Sequence, residues 1–141
     1  MTPDQVKDIQ ASFAKVVPIS EQAAMLFYGR LFELAPSLKP LFRGDMTEQG
    51  RKLMATLGVV VNGLANLESV LPAASALAKR HVDYGVKAVD YAPVGAALLW
   101  TLERGLGEQW TPPLAAAWTE AYTILSDFMI AEAYGHSLAA Q

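Results

Sequence analysis

The sequence predicts an all-helical protein with a single domain. Apolar residues recur at helical spacing in every long segment, and nowhere do several residues alternate as a half-buried strand requires. A length of 141 residues fits one domain, and the chain has no internal repeat, low-complexity tract or interdomain linker. We therefore expect one domain over residues 1–141, with roughly five to seven helices of unequal length and a frayed tail at 134–141.

The helices of the N-terminal half are separated by prolines. The first opens with Thr2-Pro3-Asp4-Gln5, which combines a capping residue, an N-terminal proline and a glutamine at the capping-box position. The second runs from about Ser20 to Ala35, before prolines at 36 and 40 interrupt the pattern. Thr47 is expected to cap the next helix. The apolar stripe of that helix consists of Leu53, Leu57, Val60, Val61 and Leu64.

The C-terminal half predicts a short helix followed by two longer ones. The short helix covers roughly Ala73 to Tyr84 and stops at Gly85, a residue suited to a left-handed C-terminal cap. Asp90 is expected to cap the next helix. Thr111-Pro112 starts the last and longest helix.

The composition is unusually apolar, with fewer charged residues than a chain of this size commonly has. The chain is 52% apolar and only 18% charged, against a usual charged share of about 25%. No apolar run approaches the roughly 18–20 residues of a membrane-spanning helix, so we expect no membrane. A net charge of −3 provides no basic surface for nucleic acid. The excess therefore indicates a partner or an enclosed ligand, and the lack of cysteine and of a signal sequence is compatible with the cytoplasm.

One histidine interrupts an apolar helix face. Ala74, Leu77, Ala78 and His81 stand at i, i+3, i+4 and i+7, which places His81 on the buried side. The other histidine, His136, falls in the predicted tail. Two interpretations stay open: a core histidine bonded to a backbone carbonyl, or a neutral imidazole offered to a metal. Zinc requires three or four protein ligands, whereas an iron held by a porphyrin needs one histidine.

Three other polar residues share this behaviour. Tyr28 lies within an apolar stripe, Gln49 lies four residues before Leu53, and Glu132 lies four residues after Phe128. Each has a structural alternative: the tyrosine hydroxyl can reach solvent, the glutamine can face outward, and the glutamate can lie beyond the last ordered turn. Their coincidence in an unusually apolar helical chain favours a binding site.

The order of several motifs carries a resemblance to a known family. The motifs are Leu-Phe-Tyr-Gly-Arg-Leu-Phe at 26–32, Leu41-Phe42, Gln49 with Arg51-Lys52-Leu53, Lys79-Arg80-His81, Asp90-Tyr91-Ala92-Pro93-Val94-Gly95 and Ala117-Trp118. In this order and at these separations the chain resembles the bacterial single-domain globins and the haem domain of flavohaemoglobins, from the first helix to about Ala133. The resemblance implies a globin fold, a helical sandwich around haem b (iron protoporphyrin IX).

On the proximal side of the haem, the resemblance implies that His81 binds the iron. Tyr91 and Glu132 match a pair that contacts the axial histidine in flavohaemoglobins. A carboxylate that accepts from His81 Nδ1–H would make the imidazole a stronger electron donor. Arg80 is a candidate for a contact with a haem propionate.

On the distal side, the resemblance implies a pocket for a diatomic ligand. Phe42 would pack flat against the porphyrin, Tyr28 and Gln49 would line the pocket, and Leu53 would lie above the iron. Hydrogen bonds from the tyrosine and the glutamine to a partly anionic ligand predict high affinity and slow release. The position of a distal histidine is occupied by Gln49.

These implications leave the activity open. The first function is reversible binding of dioxygen, nitric oxide or carbon monoxide for storage, transport or sensing. The alternative is a nitric oxide dioxygenase, or a weak peroxidase, that receives electrons from a separate reductase, because we find no flavin or nicotinamide module in this sequence. A helical signalling module without haem is the third possibility.

Overall fold

The fold consists of α-helices joined by short 3-10 turns. The computed structural model describes residues 1–42 and 44–139, and no strand occurs among them. The helices are α1 (Pro3–Val16), α2 (Ser20–Leu34), α3 (Met46–Asn62), α4 (Leu67–Asp83), α5 (Tyr91–Leu106) and α6 (Pro112–Ala139). The 3-10 turns are Val17–Ile19, Pro36–Leu41, Leu64–Asn66, Ala88–Asp90 and Gly107–Gln109. The predicted all-helical class is confirmed.

Local capping signals predicted where α1 and α5 begin but not the capping residue of α3. The capping box is formed as expected: Thr2 Oγ1 accepts from the Gln5 N–H at 3.1 Å, and the glutamine side chain accepts from the Thr2 N–H at 2.9 Å. The predicted cap at Thr47 is wrong, because Asp45 caps α3 by accepting from the Thr47 N–H at 2.9 Å. The carboxylate of Asp90 closes the preceding 3-10 turn and makes no cap to α5.

Helix α4 is longer at its start than the sequence predicted. The helix begins at Leu67 rather than near residue 73, and it continues across Pro72. Pro72 is the sixth residue of α4, so it removes the hydrogen bond that a backbone N–H there would donate to the Glu68 carbonyl, and its ring crowds that carbonyl. At the other end Gly85 adopts φ +95°, and the Val86 N–H donates to the His81 carbonyl at 2.9 Å. This left-handed glycine turns the chain away from the helix as expected.

The apolar interior is divided into two clusters. The main cluster joins α1, α2, α3, α5 and the first half of α6, with Ile9 and Leu31 almost completely enclosed. The second cluster joins the C-terminal half of α4 to α5 and to the second half of α6. Its buried members are Ala74, Ala78, Tyr91 and Met129. Helix α4, which carries His81, therefore packs chiefly on α6 and not in the main core.

Among the described helices, none is by itself both long and apolar enough to cross a bilayer. One bent pair, Met46–Asn62 with Leu64–Asp83, meets the length and composition requirement only when its two parts are joined across a 48° bend.

Helix α6 continues to Ala139, past the point where a frayed tail was expected to begin. Residues 140 and 141 lie outside the described part of the chain, as do the side chains of 135–139, His136 included. Fraying of this segment stays a prediction.

A glycine allows α2 and α3 to approach closely near the predicted distal site. A Cβ placed on Gly50 would lie 2.8 Å from the Cβ of Ala24, which is closer than carbon atoms tolerate. We expect Gly50→Ala to lower the free energy of unfolding by about 1–3 kcal/mol through overpacking.

The matched control for this prediction is Gly29→Ala. Gly29 is exposed on α2, and a Cβ there meets no atom within 4 Å. This change should stabilise the protein by roughly 0.5–1 kcal/mol, because alanine is the better helix former. Urea unfolding of both variants measures the difference. Equal effects of the two substitutions would contradict the close approach of α2 and α3.

Candidate functional site

His81 lies in the last turn of α4 with its ring half-buried. Its Nδ1 atom is enclosed and has no hydrogen-bond partner within 1–42 and 44–139. Burial lowers the pKa of His81 below its usual value, the Leu77 carbonyl one turn earlier raises it, and the charge of Arg80 lowers it further. The carbonyl acts on the ring without forming a hydrogen bond of normal geometry. At neutral pH the imidazole is therefore uncharged, which is the state that a metal ion requires.

Tyr91, the first residue of α5, stacks on the His81 ring. The two ring centroids are 6.3 Å apart and the planes differ by 28°. The tyrosine hydroxyl is buried, and among the described residues it has no partner. Burial, with a smaller contribution from Tyr134, raises the pKa of Tyr91 to about 12. The hydroxyl is consequently a neutral donor that remains available beside the histidine.

Two tyrosines of α6 hold the segment between α4 and α5, and sequence reasoning missed both. The hydroxyl of Tyr122 donates to the Tyr91 carbonyl at 2.6 Å, and the hydroxyl of Tyr134 donates to the Val86 carbonyl. Gly95 permits the first contact, because a Cβ there would lie 2.5 Å from the Tyr122 ring. A signal was present in the sequence, since Tyr122 follows the buried Trp118 by one helical turn.

The other predicted proximal residues are not joined to His81. Glu132 is half-buried on α6 and makes no hydrogen bond to the histidine in the part of the chain that the structure describes. Arg80 is exposed, and its charge acts on the imidazole pKa without a carboxylate partner among these residues. The roles of Glu132 and Arg80 stay predictions.

The predicted distal residues Tyr28, Phe42 and Gln49 lie together. The Tyr28 hydroxyl donates to the Gln49 backbone carbonyl at 3.3 Å, which links α2 to the first turn of α3. Burial raises the pKa of Tyr28 to about 12, so the hydroxyl keeps its proton. The Phe42 ring meets the Tyr28 ring edge-on at 5.2 Å and the Phe32 ring at 5.4 Å. An aromatic wall therefore surrounds the hydroxyl.

Gln49 and Leu53 lie one turn apart on α3, and both are half-buried. Leu53 packs against the main cluster and lines an apolar cavity of about 10 Å³. A second apolar cavity, of about 20 Å³, lies between α3, α4 and α6, and His81 lines neither of them. Because a hydroxyl has one proton to donate, the Tyr28 donor is in use unless the side chain turns.

These residues fit a haem better than a metal ion held by protein alone. No group of three or more histidine, cysteine, aspartate or glutamate residues with metal-binding geometry occurs in the described ranges. A porphyrin supplies four ligands of its own and requires one imidazole from the protein. The neutral His81 imidazole meets that requirement, and its Nδ1 atom and the Tyr91 hydroxyl beside it are unpaired among the described residues.

Comparisons with known proteins agree with this geometry. A family model described as Globin matches residues 25–129. Flavohemoproteins of Chromobacterium violaceum, Halalkalibacterium halodurans and Rhodopirellula baltica are 32%, 32% and 30% identical over 121, 107 and 114 residues. These alignments cover 81%, 74% and 79% of this chain but 30%, 26% and 28% of the relatives, so the chain spans less than a third of their length.

A solved structure extends the comparison to the whole fold. A bacterial globin from Campylobacter jejuni superimposes with a TM-score of 0.83 at 26% identity, covering 99% of this chain and 100% of that one. The fold expected from the resemblance is thereby confirmed.

The two buried tyrosine hydroxyls predict opposite effects on the stability of the haem-free protein. Tyr122→Phe removes a formed hydrogen bond and should lower the free energy of unfolding by about 0.5–1.5 kcal/mol. Tyr91→Phe removes a buried hydroxyl without a partner and should leave stability unchanged or raise it. Denaturant unfolding of both variants tests the pair. A larger loss for Tyr91→Phe than for Tyr122→Phe would show that the Tyr91 hydroxyl is hydrogen-bonded.

Proposed function

This chain belongs to the globin family, and on that premise we propose that it holds a haem through His81 and binds dioxygen on the opposite side. The observation that carries the proposal is the His81 imidazole, held neutral by burial with its Nδ1 atom unpaired beside Tyr91. When bound, the haem supplies an iron at which dioxygen, nitric oxide and carbon monoxide bind. We propose that this haem is type b, since the chain has no cysteine for the covalent attachment of a c-type haem.

On the proximal side, the protein supplies one ligand and the groups that tune it. The low pKa of His81 leaves the Nε2 lone pair free for the iron, and the enclosed Nδ1 carries the remaining proton. We propose that Glu132 accepts this proton in a hydrogen bond and that the free Tyr91 hydroxyl donates to the same carboxylate. An anionic acceptor makes an imidazole a stronger donor to its metal. Arg80, exposed beside the histidine, is proposed to meet a haem propionate.

On the distal side, Tyr28 and Gln49 are proposed to stabilise the ligand. The bond from the Tyr28 hydroxyl to the Gln49 carbonyl is 3.3 Å long, well beyond the usual distance for an O–H donor. Little is therefore lost when the hydroxyl turns toward a better acceptor. The Gln49 side-chain amide offers a second donor. Phe42 and Leu53 contribute apolar surface against the porphyrin, and they exclude water from the donors.

A second candidate function is nitric oxide dioxygenation. Its overall reaction, NO + O₂ + e⁻ → NO₃⁻, consumes one electron in each turnover. Two points support it: the relatives are flavohemoproteins, and the Tyr28 hydroxyl lies next to Gln49, the second proposed distal donor. The electron would come from a separate reductase, and we place this chemistry in the cytoplasm, where reduced flavin and iron–sulfur proteins are found. A weak peroxidase activity with the same donor is the lesser alternative.

Removal of His81 tests the proposed function directly. The wild-type protein should take up haemin with the Soret band of a histidine-ligated haem, and His81→Ala should lose that band, because it removes the single axial ligand. His136→Ala, which removes the only other histidine, is the matched control and should keep the band. A wild-type protein that stays colourless after addition of haemin would refute the proposal and favour a haem-free helical module.

Removal of the Tyr28 hydroxyl tests the distal donors. We expect Tyr28→Phe to speed dioxygen dissociation by about tenfold or more, because one hydrogen bond to a charged acceptor is worth about 1.5–3 kcal/mol. Tyr84→Phe, at an exposed tyrosine, should leave the rate unchanged. Stopped-flow displacement of dioxygen by carbon monoxide measures both. An unchanged rate in Tyr28→Phe would mean that the hydroxyl stays on the Gln49 carbonyl.

Rapid mixing of the oxygenated protein with nitric oxide separates the two functions. One nitrate formed per haem, followed by fast re-reduction in cell extract, favours the enzyme. Slow or partial nitrate formation favours reversible ligand binding.

A further inference from the structure

An exposed apolar patch surrounds the C-terminal end of the helix that carries His81. Three apolar side chains in this short segment are exposed, at 40%, 63% and 74% of their surfaces: Val82, Tyr84 and Val89. Tyr84 directly precedes Gly85, which turns the chain out of α4. We call residues 79–89 the α4–α5 corner. Three exposed apolar side chains in one short segment exceed the scattered single residues that a protein surface normally shows, and such clustering is typical of interaction sites.

The rim of the α4–α5 corner is basic, although the chain as a whole is acidic. Lys79, Arg80 and Lys87 are all exposed, and Asp83 is the one carboxylate within this segment. Asp90, directly after the segment, accepts from the Lys87 N–H at 2.8 Å, so three cations face two carboxylates here. None of the three cations makes an ion pair with a described residue. The chain carries a net charge of −3, so the excess of positive charge here is local. An apolar centre with a charged rim is the usual anatomy of a protein interface.

The corner is held in one conformation by contacts with its neighbours. The Val86 carbonyl accepts from the Tyr134 hydroxyl, and the Val86 N–H donates to the His81 carbonyl at 2.9 Å. A Cβ on Gly85 would lie 3.2 Å from Leu41 Cδ2, so the turn Pro36–Leu41 also packs here. A preorganised surface loses less conformational entropy on binding than a mobile loop does.

The corner is also connected directly to the predicted iron ligand. Val82 follows His81 in the chain, and the hydrogen bond between Val86 and His81 joins the surface turn to the histidine backbone. The Tyr91 ring, which stacks on the imidazole, begins the helix that follows the corner. A protein that covers this patch is therefore brought next to the residue that would hold the haem.

We propose that the α4–α5 corner is the docking surface for an acidic one-electron donor protein, a reduced flavodoxin or a small iron–sulfur protein. The proposal rests on the proposed function, since it requires a haem iron to reduce. In the transfer the partner loses one electron and the ferric iron gains one, and no atom or proton changes hands. Positive charge at the rim would attract an acidic partner and speed the encounter. Electron-transfer complexes bury little area, so a small patch is sufficient.

The test measures binding of an acidic plant-type [2Fe–2S] ferredoxin to the haem-free and haem-loaded protein by calorimetry at low salt. We expect Lys79→Glu with Lys87→Glu to weaken binding by about tenfold or more. The control, Lys7→Glu with Lys15→Glu, makes the same change of charge at exposed positions on α1 and should change affinity less than twofold. Val89→Asp should weaken binding, whereas Met25→Asp, at a residue of matched exposure (75%) on α2, should not.

The rate at which the same ferredoxin reduces the ferric protein, measured by anaerobic stopped flow, should fall in the variants that weaken binding and stay unchanged in the control variants. Equal weakening by the two charge pairs, or no binding by the wild type, overturns the proposal. A dimer in sedimentation that Val89→Asp dissociates would assign the patch to a second copy of the chain. Binding to phosphatidylserine vesicles without binding to ferredoxin would assign it to a membrane surface. Failure of docking in a protein with a normal Soret band refutes only this inference, whereas absence of the Soret band refutes the proposed function.

Discussion

The enclosure of the Nδ1 atom of His81, which has no hydrogen-bond partner among the described residues, is the constraint on which the rest of the predicted site depends. A buried, unpaired polar atom is costly, so the ring must be held by other contacts. Helix α4 packs on α6 instead of entering the main cluster, and Tyr91 covers one face of the ring. Tyr122 and Tyr134 fix the two ends of the following segment by their hydrogen bonds to backbone carbonyls. The histidine is thus positioned by a framework of tyrosines and not by its own hydrogen bonds.

The residues predicted for the two sides of the haem differ in how their polar groups are satisfied. On the distal side the Tyr28 hydroxyl has a partner, though a distant one, in the Gln49 carbonyl. On the proximal side the Nδ1 atom of His81 and the hydroxyl of Tyr91 have none within the described residues. Each such group costs roughly 1–3 kcal/mol when buried. A ligand whose binding provides these groups with hydrogen-bond partners removes that cost. Ligand binding and the stability of the fold are therefore coupled.

The two apolar clusters of the interior support different groups of the predicted site residues. The main cluster holds α1, α2, α3 and α5 together, and the close contact between Gly50 and Ala24 fixes α2 against α3. Tyr28 is a member of the main cluster, and Phe42 and Leu53 pack against it. His81 lies on α4, which packs in the smaller cluster, next to the α4–α5 corner. The residues predicted for the two sides of the haem therefore belong to different parts of the interior.

Much of this arrangement followed from the sequence, because it depends on local order along a helix. The spacing of Ala74, Leu77 and Ala78 determined which face of α4 carries His81, and the capping box at Thr2 determined where α1 begins. The motif order determined the family. The helix face and the capping box involve residues within about two helical turns of one another, where the helical period is a sufficient guide.

The tertiary structure alone decided the partners of the polar side chains. The hydroxyls of Tyr28, Tyr122 and Tyr134 reach carbonyls 21, 31 and 48 residues away, and no local pattern specifies such pairs. The starts of two helices also differ from the local signal. Asp45 caps α3 in place of Thr47, and α4 begins at Leu67 and continues through Pro72, packed against α6. Periodicity assigns a residue to the buried or exposed face of its helix. Which residues of other helices contact that face depends on how the helices cross.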